Sequence, residues 1–545
     1  MKLRYSIAAS LMAISIATVV AAPAQAQQIT TGIQGQVNDD NGASIGGATV
    51  VITDTRTGAA RTITTGADGR FSTTGLTTGG PYSVSVNAGS YEGQSLQDIY
   101  TTLQGSTDLT FTLSSGGGEI VVTGSRVRVT QLEVGPGTSF TTEVLQSAPS
   151  FNRDVRDIIR IDPRVSLDRD DGGSGQDRIS CLGGNDRGNA FTVDGIGQGD
   201  IFGLNDTGFS SRSSTPIPYD AVRETQVQFA PFDVDYGGFT GCAINVVTKS
   251  GTNDYKFGGF FEYSDNGLRG NTVRGVPVAP IEAEKRWGAW LGGPIIKDRL
   301  FFFGAYEHQE AGEAWDFGPA GAGYPNELAG VPVADFNEIS DVLSSIYGIE
   351  TGPLVTSRPF KNDRYFGRLD WQVNDDHRLE LTYQRLEEGS TRADDFSTAA
   401  ANPRVTGQNT FYTSGTVSDY YSGRLYSQWS DAFSTEIRYS RSEVIDRQDP
   451  IGGGEAQSDN PIPRIIVGVQ GPGGNGQVLA GPGFSRAAND LQTTVDAFRA
   501  VGKLDMGAHQ LKVGFEMNRA DLFNLLVQNA TGTLYFENID DLREG

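Results

Sequence analysis

Tyr365-Phe366-Gly367-Arg368-Leu369-Asp370-Trp371-Gln372-Val373 is the stretch on which the fold turns. Successive side chains of a strand point to opposite faces. One face here would carry Tyr365, Gly367, Leu369, Trp371 and Val373, the other Phe366, Arg368, Asp370 and Gln372. The pattern returns with Leu379, Leu381 and Tyr383 set against Arg378, Glu380, Thr382 and Gln384. It returns again with Phe433, Thr435, Ile437 and Tyr439 against Ser434, Glu436, Arg438 and Ser440, and with Leu511, Val513, Phe515 and Met517 against Gln510, Lys512, Gly514 and Glu516. A soluble sandwich gives the same alternation. Connection length separates the two. About ten such strands fit after Thr252, and short turns alternate with long loops, as in a transmembrane barrel whose turns face the periplasm. The turns fall at Lys297-Asp298-Arg299, Asn374-Asp375-Asp376, Asp431-Ala432 and Met506-Gly507-Ala508; the loops span roughly 265–283, 310–360, 388–417 and 446–490.

The rest of the chain agrees with an exported, all-β protein. Mean hydropathy is only −0.31, which a barrel permits because lipid sees every second side chain. Glycine supplies 71 of 545 residues, against a usual share of roughly 7%. Lys2 and Arg4 precede an apolar run from Ile7 to Val20, and Ala24-Gln25-Ala26 offers a small-x-small cleavage site, so residues 1–26 read as a cleaved leader. That run is short for a spanning helix. A net charge of −23 argues against a nucleic-acid partner. Export also bears on the two cysteines, Cys181 and Cys242. A disulfide is the default in an oxidising compartment and zinc would need more ligands nearby; two free buried thiols are the alternative. A bridge closing that loop would restrict the unfolded chain by roughly 4 kcal/mol.

Upstream, Ile29 to Leu113 reads as about seven short strands forming a sandwich. Its apolar face runs through Val37, Val50, Ile52, Ile63, Phe71, Val84, Val86, Leu109, Phe111 and Leu113, with turn chemistry at Asp40-Asn41-Gly42, Ala67-Asp68-Gly69 and Gly79-Gly80-Pro81. The spacing of Gly35-x-Val37, Gly47-Ala48-x-Val50, Gly69-x-Phe71, Leu76, Tyr82-x-Val84-x-Val86 and Tyr91 resembles the carboxypeptidase regulatory-like domain, which implies no peptidase activity. A Ser/Gly hinge, 114–118, then leads into Glu119-Ile120-Val121-Val122-Thr123-Gly124-Ser125-Arg126. Alone, that run is an ordinary core strand; after a linker and before a new domain, it suits strand addition to a partner. The octet resembles the TonB box of outer-membrane receptors, which assigns Glu119, Ile120, Val121, Val122, Thr123 and Gly124 to pairing with the periplasmic domain of TonB.

From Val129 to Lys249 the pattern is mixed α/β: a short helix near Asn152–Ile159 before Pro163, a strand at Phe191–Ile196, then Arg223–Gln228, Tyr236-Gly237-Gly238 and Ala243–Gly251. This ordered set resembles the plug of TonB-dependent receptors. Asp235-Tyr236-Gly237-Gly238 and Asn245-Val246-Val247-Thr248-Lys249-Ser250-Gly251-Thr252-Asn253 look like the Oar-like branch, which shares the N-terminal sandwich. The expected organisation is therefore leader 1–26, sandwich 28–113, linker and TonB box 114–127, plug 128–250, and barrel from 251 to 545. Receptors of this family close about 22 strands, and ten cannot wrap a plug, so the chain is expected to hold the N-terminal portion of the barrel.

No HExxH pair, nucleophile elbow or Walker loop occurs, so no catalytic, cofactor-binding or metal residues are assigned and no enzyme activity is expected. The acidic run Asp168-Arg169-Asp170-Asp171-Gly172 lacks the glutamate that completes an EF-hand loop and reads as a solvated loop. His308, beside Glu307 and Glu310, reads as a satisfied rim residue. The resemblance implies energy-coupled transport of an unidentified extracellular substrate across the outer membrane, with membrane lipid and TonB as partners. An adhesive or structural surface protein and a signal-transducing receptor are the rival readings.

Overall fold

The computed structural model describes residues 29–545 apart from 104, 117–118, 122–129, 132–135, 151, 169–176, 204–208, 213–214, 278–281 and 507–508. The expected leader, Val122, Thr123 and Gly124, and all of the acidic run but Asp168 lie outside the described residues.

Seven strands build the sandwich: Thr30–Asp39, Thr49–Asp54, Ala60–Thr64, Arg70–Thr77, Gly79–Asn87, Gly93–Thr101 and Ser106–Leu113. They divide between two sheets, whose inward side chains Ile33, Val37, Val50, Ile52, Val84, Val86, Leu109 and Phe111 form one buried core. The alternating apolar positions thus meet between the sheets, where burial stabilises the domain by roughly 25 cal/mol per Å² of apolar surface.

The mixed domain centres on a five-stranded sheet of Gly137–Phe140, Val222–Gln228, Ala243–Thr248, Ala190–Val193 and Ile196–Gly197, in that spatial order. The turn Asp194-Gly195 joins the last two with both residues at positive φ, +48° and +69°, which suits the tight hairpin. The helix expected near Asn152–Ile159 spans Val155–Ile159; Asp154 caps it by accepting the Arg156 backbone N–H at 2.8 Å.

Nine long strands follow in one antiparallel sheet: Lys256–Ser264, Glu284–Ile296, Leu300–Ala314, Ser357–Asn374, His377–Arg392, Tyr412–Ser430, Phe433–Pro450, Asn489–Asp505 and Gln510–Leu526. Its first and last strands are not paired with each other among the described residues. Burial runs opposite to that of a globular sheet. Leu369 and Trp371 are 40% and 46% exposed, whereas Arg368 and Asp370 between them are 4% and 6% exposed. The apolar face is therefore the outer one and the charged face looks into a filled lumen, as in a barrel set in lipid.

Among the described residues nine strands form the barrel sheet, close to the roughly ten expected, and after Leu526 the chain leaves that sheet. The long loops carry structure of their own. Arg404–Thr406, Gly474–Ala480, Arg464–Gly471 and Thr533–Phe536, from three separate connections, pair as a four-stranded sheet on the long-loop side. With the helices Val333–Val342 and Ile539–Glu544 it encloses its own core of Val331, Phe336, Ile339, Val405, Val467, Val478 and Leu542.

Candidate functional site

The plug sits against the barrel wall through apolar packing and a polar network. Phe303, Ala305 and Phe366 of the wall join the plug core of Ile158, Ile159, Phe191, Val227 and Val246. Burying ionised side chains in a lumen is costly unless they are paired, and Arg368 and Arg424 are paired here. Arg368 is held bidentately by Asp370 at 2.7 Å, and it reaches Glu380 at 2.8 Å and the plug hydroxyl of Thr248 at 3.0 Å. Arg424 bridges Glu380 at 3.3 Å and donates to the Asp194 carbonyl. Arg438 donates to the carbonyl of Gly195. Arg368, Arg424 and Arg438 therefore contact the plug directly, while Asp370 and Glu380 hold those wall arginines in place.

Two further locks lie elsewhere on the wall. Glu307 accepts from Arg364 at 3.0 Å and from the Tyr219 backbone N–H at 3.0 Å, and lies 3.4 Å from Arg153 of the plug. Lys512 binds Asp233 at 2.6 Å and Asp235 at 2.7 Å, while Arg499 holds Asp235 at 2.9 Å. Burial raises the Asp235 carboxyl, but Arg499 and Lys512 outweigh it and hold the group below its ordinary value. Asp233 and Asp235 belong to the stretch before Tyr236-Gly237-Gly238, whose role was not legible because its partners lie on the last two strands. His308, expected to be a satisfied rim residue, meets Asp363 of the adjacent strand at 2.7 Å.

Cys181, at the end of the Arg178–Cys181 strand, and Cys242, just before Ala243–Thr248, are both buried, with Sγ atoms 2.01 Å and Cα atoms 5.9 Å apart. The Asp168 end of the acidic run pairs with Arg178 in a hairpin. Among the described residues no cluster of three or more His, Cys, Asp or Glu side chains could hold a metal ion.

The backbone of Glu119–Val121 forms an added parallel strand at the edge of the sandwich, with Gly93, Gln94 and Ser95 opposite Glu119, Ile120 and Val121. Its main-chain groups are thus already in the geometry that strand addition uses. The sandwich itself docks on the short-turn side of the barrel. Asn253 donates to the Arg56 carbonyl at 2.9 Å, Arg378 reaches Thr77, and the Leu103 N–H donates to Glu224 of the plug at 3.1 Å. On the opposite side, the loop domain carries a cavity of about 660 Å³ lined by Asp335, Glu338, Gln470, Gln477, Tyr535 and Asp540.

Comparison with known proteins follows the same order along the chain. Residues 32–114 match the carboxypeptidase regulatory-like domain, 133–242 the TonB-dependent receptor plug domain, and 247–315 an outer membrane beta barrel domain. The TonB-dependent transporter Oar of Myxococcus xanthus is 26% identical over 216 residues, which make up 37% of this chain and 18% of that protein. Similar solved structures include the outer membrane transporter YddB from Escherichia coli, with 14% identity, a TM-score of 0.48, and 71% of this chain and 48% of that one covered. They also include a mutant of the ferric enterobactin receptor PfeA from Pseudomonas aeruginosa, with 18% identity, a TM-score of 0.42, and 71% and 49% covered. The chain spans less than half the length of these relatives.

Proposed function

From the premise that this chain is a TonB-dependent receptor of the outer membrane with an N-terminal carboxypeptidase regulatory-like domain, we propose that it takes up a large or scarce substrate across that membrane with energy relayed by TonB. One observation carries the reading. The plug is fixed to the wall by buried ion pairs on several strands, so passage requires it to be moved, and the segment placed to move it is the β-prone peptide at its N-terminal side.

In this cycle substrate lands on the long-loop domain and plug apex, and Glu119, Ile120, Val121, Val122, Thr123 and Gly124 pair with TonB as an added strand. A pull on that strand is transmitted to the plug and breaks wall contacts such as Arg499–Asp235. The Cys181–Cys242 bridge keeps its part of the plug intact under that load. No step calls for a catalytic group, a cofactor or a metal, and the chain acts as a transporter rather than an enzyme. A purely adhesive surface protein would have no use for a coupling peptide. A signal-transducing receptor would carry a small βαβ-type N-terminal module, whereas this one is a seven-stranded sandwich.

Strand addition depends on main-chain hydrogen bonds, so alanine at Ile120 or Val122 should weaken TonB pairing only modestly. Proline at Val121 or Val122 removes a donor and fixes φ. In the full-length protein those proline variants should abolish energy-dependent uptake while leaving surface binding intact, and Ser115→Pro in the hinge should be nearly silent. Normal transport by both Val121→Pro and Val122→Pro would remove the main support for active transport.

A further inference from the structure

A cavity of about 710 Å³ opens where the sandwich, plug and short barrel turns meet. Four cations reach it from all three parts: Arg61 of the sandwich, Arg223 and Lys249 of the plug, and Arg378 of the wall. Arg61 is tied only to neutral oxygens, Thr73 Oγ1 at 2.8 Å and the Thr74 carbonyl at 2.6 Å, and Arg378 donates to Thr77. Arg223 donates to Ser250 through one nitrogen at 2.5 Å, while its buried Nη1 has no hydrogen-bond partner. Lys249 sits with its ammonium 5.2 Å over the Trp290 ring. None of the four has a carboxylate within ion-pair distance among the described residues.

The carboxylates around the cavity act on them only at longer range, Asp376 on Arg61, Asp370 and Asp194 on Arg223, and Asp220 on Lys249. Asp54 is taken bidentately by Arg56 at 2.8 and 2.7 Å, and Asp370 by Arg368. Burial raises Glu224 toward its neutral form. Glu143, Asp375 and Asp376 line the cavity but are exposed, as is Lys256. Burial first, then the like charge of Arg378, brings Arg61 down to about 10, and burial with Arg56 and Arg368 brings Arg223 down to about 10. Arg61 and Arg223 therefore still carry their charge at neutral pH. A protein of net charge −23 thus gathers four half-buried cations with no direct carboxylate partner in one concave space, and a bound anion would stabilise them by direct pairing.

We propose that this cavity is a binding site for a small multivalent anion, a polycarboxylate or a phosphate compound. Guanidinium groups suit both headgroups because they present paired donors to carboxylate or phosphate oxygens. Trp290 under Lys249 and Tyr426 under Arg378 hold two of the cations in place. The site lies on the periplasmic side of the plug and does not depend on whether the chain transports anything.

The test is calorimetric titration of the folded full-length protein in detergent, with citrate and pyrophosphate in separate runs. Saturable binding of at least one is expected, with whichever binds tighter naming the headgroup class. Arg61→Gln and Lys249→Gln should each weaken it about tenfold, as the loss of a charge-assisted contact does, with Arg61→Lys intermediate and Lys285→Gln, on an outer strand position, without effect. In unmutated protein, a reading that needs no variant, the bound anion should slow acylation of Lys249 but not of Lys285. Absence of saturable binding for both anions, affinity unchanged in both glutamine variants, or equal acylation rates with and without anion would each overturn the proposal. Energy-dependent uptake is a separate readout, so this site and the transport function fail independently.

Discussion

Glu307→Ala is the substitution that most directly measures how the plug is held. The Glu307 side chain is 1% exposed, as is that of its wall partner Arg364. It also serves two plug groups, the Arg153 guanidinium at 3.4 Å and the Tyr219 N–H at 3.0 Å. Truncation leaves Arg364 with the Ile217 carbonyl at 3.4 Å and Arg153 with Asp220 at 2.8 Å. Removing one partner of a buried pair costs about 3–5 kcal/mol, because the other charge stays desolvated. At roughly 1.4 kcal/mol per tenfold, amides around Val155–Ile159 and Tyr219–Gln228 should exchange about a hundredfold to a few thousandfold faster in the full-length protein. Hydrogen exchange read by mass spectrometry separates that loosening from damage to the barrel, since peptides from the wall strand Leu300–Ala314 should keep their protection. Glu313→Ala on the same strand, where the side chain is 70% exposed, is expected to change plug exchange by less than about threefold. The double change Glu307→Leu with Arg364→Met should recover part of the loss, since an apolar pair strands neither charge. Plug protection within about threefold of the parent in Glu307→Ala would refute the argument that buried ion pairing fixes the plug.

Thiol labelling of unreduced mature protein should find neither Cys181 nor Cys242 reactive; two labelled thiols would show that the pair is free despite its 5.9 Å Cα separation. The parallel register that sets Gln94 opposite Ile120 predicts that Gln94→Cys with Ile120→Cys forms an oxidative cross-link, and that the linked protein captures TonB only after reduction; capture by the oxidised form would show that this strand pairing is not the one TonB competes with. Hydrogen bonds from Arg164, the largest cause, pull Asp162 down to about 2 from an ordinary 3.8. A depressed carboxylate stabilises the fold above its unfolded value and loses that contribution as pH falls through its folded value. Acid loosening of the Val165–Asp168 hairpin should therefore develop between about pH 4 and 2, and in Asp162→Asn that part of the pH dependence should be missing from exchange data.

What the sequence revealed and what it hid have one physical dividing line. A strand writes its two faces into adjacent residues, so the outward Leu369 and inward Arg368 could be told apart from nine residues of chain. The sandwich was legible for the same reason: Val84 and Val86 alternate, and the turns between strands carry their own chemistry. Partners, by contrast, are fixed by closure of the whole sheet. Arg438 meets the Gly195 carbonyl across 243 residues, and no local pattern encodes that distance, so the lumen charges could be assigned to a face but not to an acceptor. The loop domain hid behind a different obstacle. Ile465, Val467 and Val469 do alternate, yet the strand they form is short and pairs with Thr533–Phe536 and Gly474–Ala480, one of them outside its own loop. A loop reading based on length alone passed over it. The four cations below the plug that lack a direct carboxylate partner belong to the same class: Arg61, Arg223, Lys249 and Arg378 are unremarkable one at a time, and only the docking of three domains brings them together. Sites of that kind are created by assembly, and their chemistry becomes readable once the surfaces that meet there are known.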